Sequence, residues 1–344
     1  NPDITWEVAT NQNIGLDGRF WDGLFSFSID LFEQRRENIL TSRGTEVPIY
    51  TGLVLPDENI GVTQNQGIEI ELKHENNSLS SDLSYSIAGN VAYAKSKIVD
   101  ISEPQDIPEY QKREGNPIGA QLLYQAEGIF TTQQEVDSNP TMPGTQVGDL
   151  QYQDINDDGV INSADRIRID KGPIPEITYG FHANMAYKNF SLYANFAGQT
   201  RAWTYIFQNC RTTVNCMRDI VLNAYTPGSM DAKYPIMSQE SAPGEGVISA
   251  MPSTFWLENA SFLRLKTLQL GYALPNNIIS QIGLTSARVY INGNNLFTVT
   301  PMKWFDPEGD PGGVSGESAD QVQYSTGDFY PQTRIFNLGI NISF

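Results

Sequence analysis

The residues with the clearest capacity for chemistry lie between Asp154 and Asp165. Asp154, Asn156, Asp158, Gly159, Asn162 and Asp165 occupy positions 1, 3, 5, 6, 9 and 12 of a twelve-residue loop, and Val160 offers its carbonyl at position 7. Alternate oxygens can then turn inward around a hard cation while Gly159 takes the sharp bend. The pattern predicts a structural calcium ion, because several carboxylates buried together without a cation would repel one another. Magnesium is the competing ion, but it wants a stricter octahedron and keeps more of its water. An Asx-rich turn with no ion is the plainer alternative.

Two further groups of residues stand out. Cys210 and Cys216 are the only cysteines; in an exported loop their spacing suits a small disulfide ring and does not match a CxxC redox or zinc motif. Trp203, Tyr205, Trp256 and Trp304, with Phe207 and Tyr330, sit in long polar stretches, where aromatic faces could stack on a substrate or staple their own loop. Trp203, Tyr205, Trp256 and Trp304 are taken as candidate substrate-binding residues.

Catalytic constellations are weak. His74 and His182 are the only histidines, so no HExxH site exists, and Gly313-Val314-Ser315-Gly316-Glu317 misses the nucleophile elbow at its final position. No phosphate-binding glycine loop is present. His182 could serve a barrel hydrolase with a serine in the lumen, but the plainer role is a polar lining residue. Asp306, Glu308 and Asp310 read as acids of a solvated loop. The chain is expected not to be an enzyme.

The elements that must carry these residues are β-strands. Lys plus Arg number 22 against 40 Asp plus Glu, a net charge of −18, which argues against a nucleic-acid partner. Hydrophobic residues make up 40%, yet no run approaches the roughly 18 apolar residues of a spanning helix. A barrel remains open, since barrels hide their hydrophobicity in alternation. The last stretch, Arg334 to Phe344, sets Phe336, Leu338, Ile340, Ile342 and Phe344 against Asn337, Gly339, Asn341 and Ser343. Its apolar face suits lipid and its small polar face suits a wet lumen.

Similar runs come in pairs: Asn11 to Phe20 with Leu24 to Gln34, Gly67 to His74 with Leu83 to Lys97, Ile177 to Tyr187 with Phe190 to Phe196, and Ser261 to Ala273 with Ala287 to Thr298. The alternation slips near Lys266-Thr267 and at Gly293, predicting β-bulges. Short turns near Asp22, Asn76, Lys188 and Asn276 would be periplasmic, and aromatics crowd them as an interfacial girdle would. Long excursions at about 35–64, 98–176, 200–258 and 301–333 would be extracellular, with a further strand inside Gly119 to Phe130. The count is about nine membrane strands of an all-β, antiparallel fold. Such an open sheet has two unpaired edges that hydrocarbon does not tolerate, so the chain is expected to be the C-terminal part of a larger barrel. Asn1 to Trp6 reads neither as a signal peptide nor as a mature N-terminus, so something upstream is expected.

Four ordered motifs carry a resemblance: Asn1-Pro2-Asp3-Ile4-Thr5-Trp6-Glu7; Asp154 to Arg166 with Pro173 and Tyr179-Gly180-Phe181; Ala260-Ser261-Phe262-Leu263-Arg264-Leu265-Lys266; and Asn292-Gly293-Asn294-Asn295-Leu296-Phe297. Together they resemble the C-terminal half of the SusC-like family of TonB-dependent outer-membrane transporters, nearly end to end. The resemblance implies a 22-strand barrel with an N-terminal plug, driven through the TonB complex and lidded by a SusD-like surface lipoprotein. It implies import of oligosaccharides or, in some members, oligopeptides. Signal sequence, plug and TonB-contacting segment are not among these residues. An adhesive or structural barrel is the alternative of another class.

Overall fold

The computed structural model describes residues 3–41, 56–76, 82–104, 106–206, 218–229, 231–237, 248–309, 324–325 and 331–344. One antiparallel sheet holds nine strands, each beside its neighbour in the chain. They are β1 (Val8–Phe20), β2 (Phe25–Thr41), β3 (Glu58–Asn76), β4 (Leu83–Asp100), β5 (Ile177–Tyr187), β6 (Phe190–Thr200), β7 (Phe262–Ala273), β8 (Ser286–Val299) and β9 (Ile335–Ser343). The number and pairing are those expected from the alternation. No described helix is long and apolar enough to cross a membrane, which says nothing of strands.

Register turns the alternation into two opposed faces. Met185, Leu192, Leu270, Ile291 and Leu338 form one continuous row across five strands. Leu270 and Ile291 are each 52% exposed and Leu338 is 77% exposed. One residue away, Asn184, Tyr193, Gln269, Asn292 and Asn337 form the matching row on the other face. A sheet that leaves its aliphatic row exposed and lines its other face with amides has the opposite polarity to a water-soluble barrel.

Tight turns close one end of the sheet. Trp21, Asp22 and Gly23 have φ of 53, 54 and 94°, a left-handed run in which only the glycine is free of steric cost. Lys188 turns the hairpin of β5 and β6 at φ 53°. Pro275 leads a short helix, Asn276–Ile279, between β7 and β8, as the sequence suggested. Between β3 and β4, 77–81 lie outside the described residues. Rings gather at this end: Phe20 lies 5.9 Å from Trp21, and Phe190 lies 4.8 Å from Tyr272.

Pairing runs further than expected at the other end. β2 and β3 continue to Leu40↔Asn59 and Thr41↔Glu58, so Arg35–Thr41 and Glu58–Gln64 are strand rather than loop. Period-two alternation is lost there, because Arg35, Arg36, Glu37 and Asn38 are consecutive polar residues and the register shifts between Arg36 and Ile39. β4 passes directly to β5, with Tyr93 opposite Ile177. The whole of 101–176 is therefore one excursion, as strand parity required.

One bulge was placed correctly and the other was not. The register of β7 skips Lys266 against both neighbours. This resets the phase, so that Leu265 and Leu268 share the apolar face while Arg264 and Thr267 share the polar one. On β8 the skipped residues are Asn295 and Leu296, not Gly293, which pairs regularly with Leu268 and Phe336. Asn295 takes a φ of 51°. Leu296 folds back over Gly293, where an added Cβ would meet its side chain at 2.6 Å. The glycine admits its neighbour's side chain; it is not the bulge.

The long connections have a core of their own. Gln121–Tyr124 pairs with Arg166–Ile169, Ala126–Ile129 with Leu150–Tyr152, and Trp203–Ile206 with Leu257–Asn259. Leu123, Leu150, Tyr152, Ile161, Ile206 and Ile220 pack together, each no more than 4% exposed. The expected strand inside Gly119 to Phe130 is thus two short strands.

The two faces predict opposite responses to charge. Leu338→Arg, near the middle of β9, should cost about 2–4 kcal/mol in lipid vesicles, whereas Asn337→Arg should cost well under half of that. Urea titration of the folded native protein measures both, and equal costs would contradict the assignment of faces.

Candidate functional site

The segment Asp154 to Asp165 forms a compact loop bound to its own amides. Asp154 accepts from the N–H groups of Asp158 (3.3 Å) and Gly159 (2.8 Å). Asp158 accepts from Val160 N–H at 2.9 Å, and this bond, with the side chain of Asn156, holds its carboxyl below the usual carboxylate range. Asp165 accepts from Ile155 N–H at 3.0 Å and from Asn162 N–H at 2.7 Å. Asn162 accepts from Ala164 N–H, and its amide donates to the Val160 carbonyl at 3.3 Å. Ile161, 2% exposed, plugs the loop into the core of the connections.

This arrangement corrects the electrostatic part of the sequence argument. Asp165 is fully buried, but Asn156, Asp158 and Asn162 are exposed, so no group of carboxylates is sealed from water. Among the described residues no three His, Cys, Asp or Glu side chains gather as a metal-holding cluster. The donor chemistry is all oxygen and suits a hard cation, while the loop as placed is already satisfied by amide N–H groups.

Cys210 and Cys216 lie outside the described residues, as do Phe207, Tyr330 and the segment Gly313 to Glu317. The four candidate aromatics are brought together, but as packing. Tyr205 and Trp256 are each 3% exposed and belong to the core of the connections. Trp256 stacks on Tyr234 at 6.3 Å, donates Nε1 to the Ser249 carbonyl and meets Phe255 edge-on. Trp304 meets Tyr234 at 5.8 Å and donates to Glu258 at 3.3 Å. Burial, with Asp219 nearby, pushes the Tyr234 hydroxyl up to about 12. Tyr205 and Trp256 are therefore core residues and not stacking platforms for a substrate. Trp203 is half-buried, with the Lys171 ammonium 4.2 Å above its ring.

A second polar cluster was not anticipated. Arg264 on β7 is 2% exposed and points to the polar face. It donates Nε to Thr298 at 2.7 Å, one guanidinium nitrogen to Asp306 at 2.7 Å and the other to Glu308. Lys266, freed by its bulge, also reaches Glu308. Burial alone would raise the pKa of Asp306, but Arg264 and the N–H groups of Glu308 and Gln332 outweigh it and hold it below the ordinary value. The acids of 306–308 are thus the clamp that fixes the segment after β8 inside the sheet. The sequence carried no distinguishing signal for it, since Glu71, Lys73 and Arg288 share the polar face with Arg264.

His182 faces the polar side, opposite Ala88 and Asn195. His74 stacks on Tyr85 at 5.5 Å near the tight turns.

An exposed aliphatic face, a polar opposite face and long connections over one end are the marks of an outer-membrane barrel. Comparison decides which kind: the family model described as "TonB dependent receptor-like, beta-barrel" matches residues 1–296. The chain belongs to this TonB-dependent receptor family. It is 28% identical to TonB-dependent receptor P3 of Formosa agariphila, over all of this chain and 35% of that protein. It is 26% identical to TonB-dependent receptor SusC of Bacteroides thetaiotaomicron, over all of this chain and 32% of that protein. Among solved structures, the RagAB peptide transporter aligns with all of this chain and 36% of its own, with a TM-score of 0.73 and 25% identity. The chain thus spans about a third of the length of these relatives. They are receptors and transporters, not enzymes, and the family is one of outer-membrane proteins.

The Arg264 clamp makes a prediction about 301–309. Removing one partner of a buried ion pair costs about 3–5 kcal/mol, and Asp306→Ala should fall at or below the low end because Glu308 retains the guanidinium. Limited proteolysis of the native protein should cut the variant within 301–309 and spare the wild type. The pKa of Asp306 is depressed in the folded state, so the stabilisation is complete above the ordinary value of about 3.9 and is lost as pH falls through the folded value. Cleavage should rise with acid in the wild type and change less in Asp306→Ala; equal cutting of both at neutral pH would contradict the clamp.

Proposed function

We propose that this chain is the C-terminal barrel portion of a TonB-dependent importer that passes oligosaccharides or oligopeptides across the outer membrane, together with a SusD-like surface lipoprotein. The observation that carries this reading is the sheet's reversed polarity combined with its free edges. β1 and β9 each pair on one side only among the described strands, and lipid demands that further strands complete them. An upstream barrel part and plug would do so, with outer-membrane lipid against the aliphatic row. The short turns face the periplasm and the long connections the exterior, as turn length supports. The core of the connections, standing over one end, offers a lidding lipoprotein a firm surface.

Mild-detergent purification of the native protein is expected to return a lipid-anchored surface protein as a stoichiometric companion. Uptake of the cognate oligomer should require an intact TonB system. Uptake that persists after TonB is removed would overturn the reading.

Within it, the loop Asp154 to Asp165 is assigned a structural calcium ion on the outer side, supported by the order of oxygen ligands and by Gly159 at φ 84°. Titration of the native protein with calcium should give a saturable site that Asp158→Ala removes while the barrel still assembles; unchanged binding in the variant would remove the site from this loop. A Cys210–Cys216 disulfide belongs to the same reading, and alkylation of both cysteines without reductant would count against it.

A further inference from the structure

The aliphatic face of the sheet is not smooth. Near the tight turns, β4 to β9 leave a groove of about 520 Å³ on this side. Tyr187, Phe190, Tyr272 and Val289 follow one another across the strands as the row nearest the turns, and Leu270 and Ile291 belong to the row behind it. All six line the groove, and no charged side chain does. Three rings and then the small Val289 make the first row fall in height from β7 to β8.

A cation stands beside the groove. Lys188, the turn residue between β5 and β6, places its ammonium 5.3 Å from the centre of the Tyr187 ring. Its backbone N–H bonds to the Asp82 carbonyl at 3.1 Å, which fixes the turn. The Asp82 carboxylate lies 3.8 Å from the ammonium, and the two side chains are 59% (Lys188) and 69% (Asp82) exposed. A pair so long and so wet is weak, so the ammonium stays available to a second anion. An apolar groove with a cation at one end complements a molecule that joins a hydrocarbon chain to an anionic group, and the groove opens on the face that meets lipid.

The two features have different roles. Lipid tails are as apolar as the groove, so an acyl chain gains no hydrophobic free energy by leaving the bilayer for it. Fit places the chain, but selection falls to the polar end, where a lysine near the membrane surface favours an anionic headgroup.

We infer that this groove is a binding site for an anionic phospholipid, with one acyl chain in the groove and the phosphate at Lys188. Asp82 opposes the charge of the headgroup and limits the affinity. The site is independent of what the barrel imports.

The test uses the native full-length protein, delipidated in detergent and titrated with dioleoyl phosphatidylglycerol or dioleoyl phosphatidylcholine, which share their tails and differ in net charge. Native mass spectrometry should show the tightest-held phosphatidylglycerol retained about fivefold more strongly than phosphatidylcholine, the ratio expected of one lysine at an anionic surface. Lys188→Gln should abolish that preference, Lys188→Arg should keep it, and Asp82→Asn should raise it. Val289→Trp, which fills the groove and leaves the charges in place, should weaken both lipids. Heat-modifiable migration establishes that each variant is an assembled barrel. Equal retention of the two lipids, a preference untouched by Lys188→Gln, or retention untouched by Val289→Trp would overturn the inference. A disulfide-linked dimer formed by Ile291→Cys in the membrane, and absent from the wild type, would also overturn it by giving the groove to a second copy of the protein.

Discussion

In hydrocarbon a backbone N–H or C=O without a partner costs several kcal/mol, and that cost shapes everything else in this chain. It requires that strands follow one another in unbroken antiparallel order, as the nine strands do. Side chains at successive positions must then divide between lipid and lumen, which the rows through Leu338 and Asn337 display. The same constraint leaves β1 and β9 incomplete, so the sheet has the logic of an arc and not of a closed object. Short turns at one end and long excursions at the other follow from a chain that crosses and returns.

Where the chain leaves the sheet, ordinary aqueous folding resumes. The connections bury Leu123, Leu150, Ile206 and Trp256 around small sheets of their own, and this core, more than any ion, accounts for their order. Two devices tie it to the barrel: the β4–β5 excursion threads back over the polar face through Ile118 and Ser96, and Arg264 grips Asp306 and Glu308. Both contacts lie on the lumen side. They would narrow the loop end of a completed barrel and bring polar groups to its wall.

The strands were legible because period-two alternation is a local signal. Lys266 was legible as a bulge because the alternation visibly slips there. Asn295 was not, since a positive φ at a non-glycine residue leaves no mark in composition, and Gly293 beside it drew attention away. Tyr205 and Trp256 were misread because an aromatic in a polar excursion looks the same whether it meets a ligand or another loop. Only the packing of 203–206 against 257–259 decides that. The acids Asp306 and Glu308 were read as solvated because the arginine that claims them is 42 positions from Asp306 and 44 from Glu308. Separations of that size carry no sequence pattern. The ligand order from Asp154 to Asp165 was legible as a motif, whereas the burial of Asp165 alone, with its neighbours in water, was not.

The central claim is that this sheet is an arc of a larger barrel, and a reconstruction of the full-length protein in a lipid nanodisc tests it most directly. The account predicts that Val8–Phe20 and Ile335–Ser343 each hydrogen-bond to a strand outside this chain, with Phe336, Leu338 and Ile340 against lipid. A direct ladder between those two strands, closing a nine-stranded cylinder, or a soluble sandwich with Leu338 buried, would contradict it.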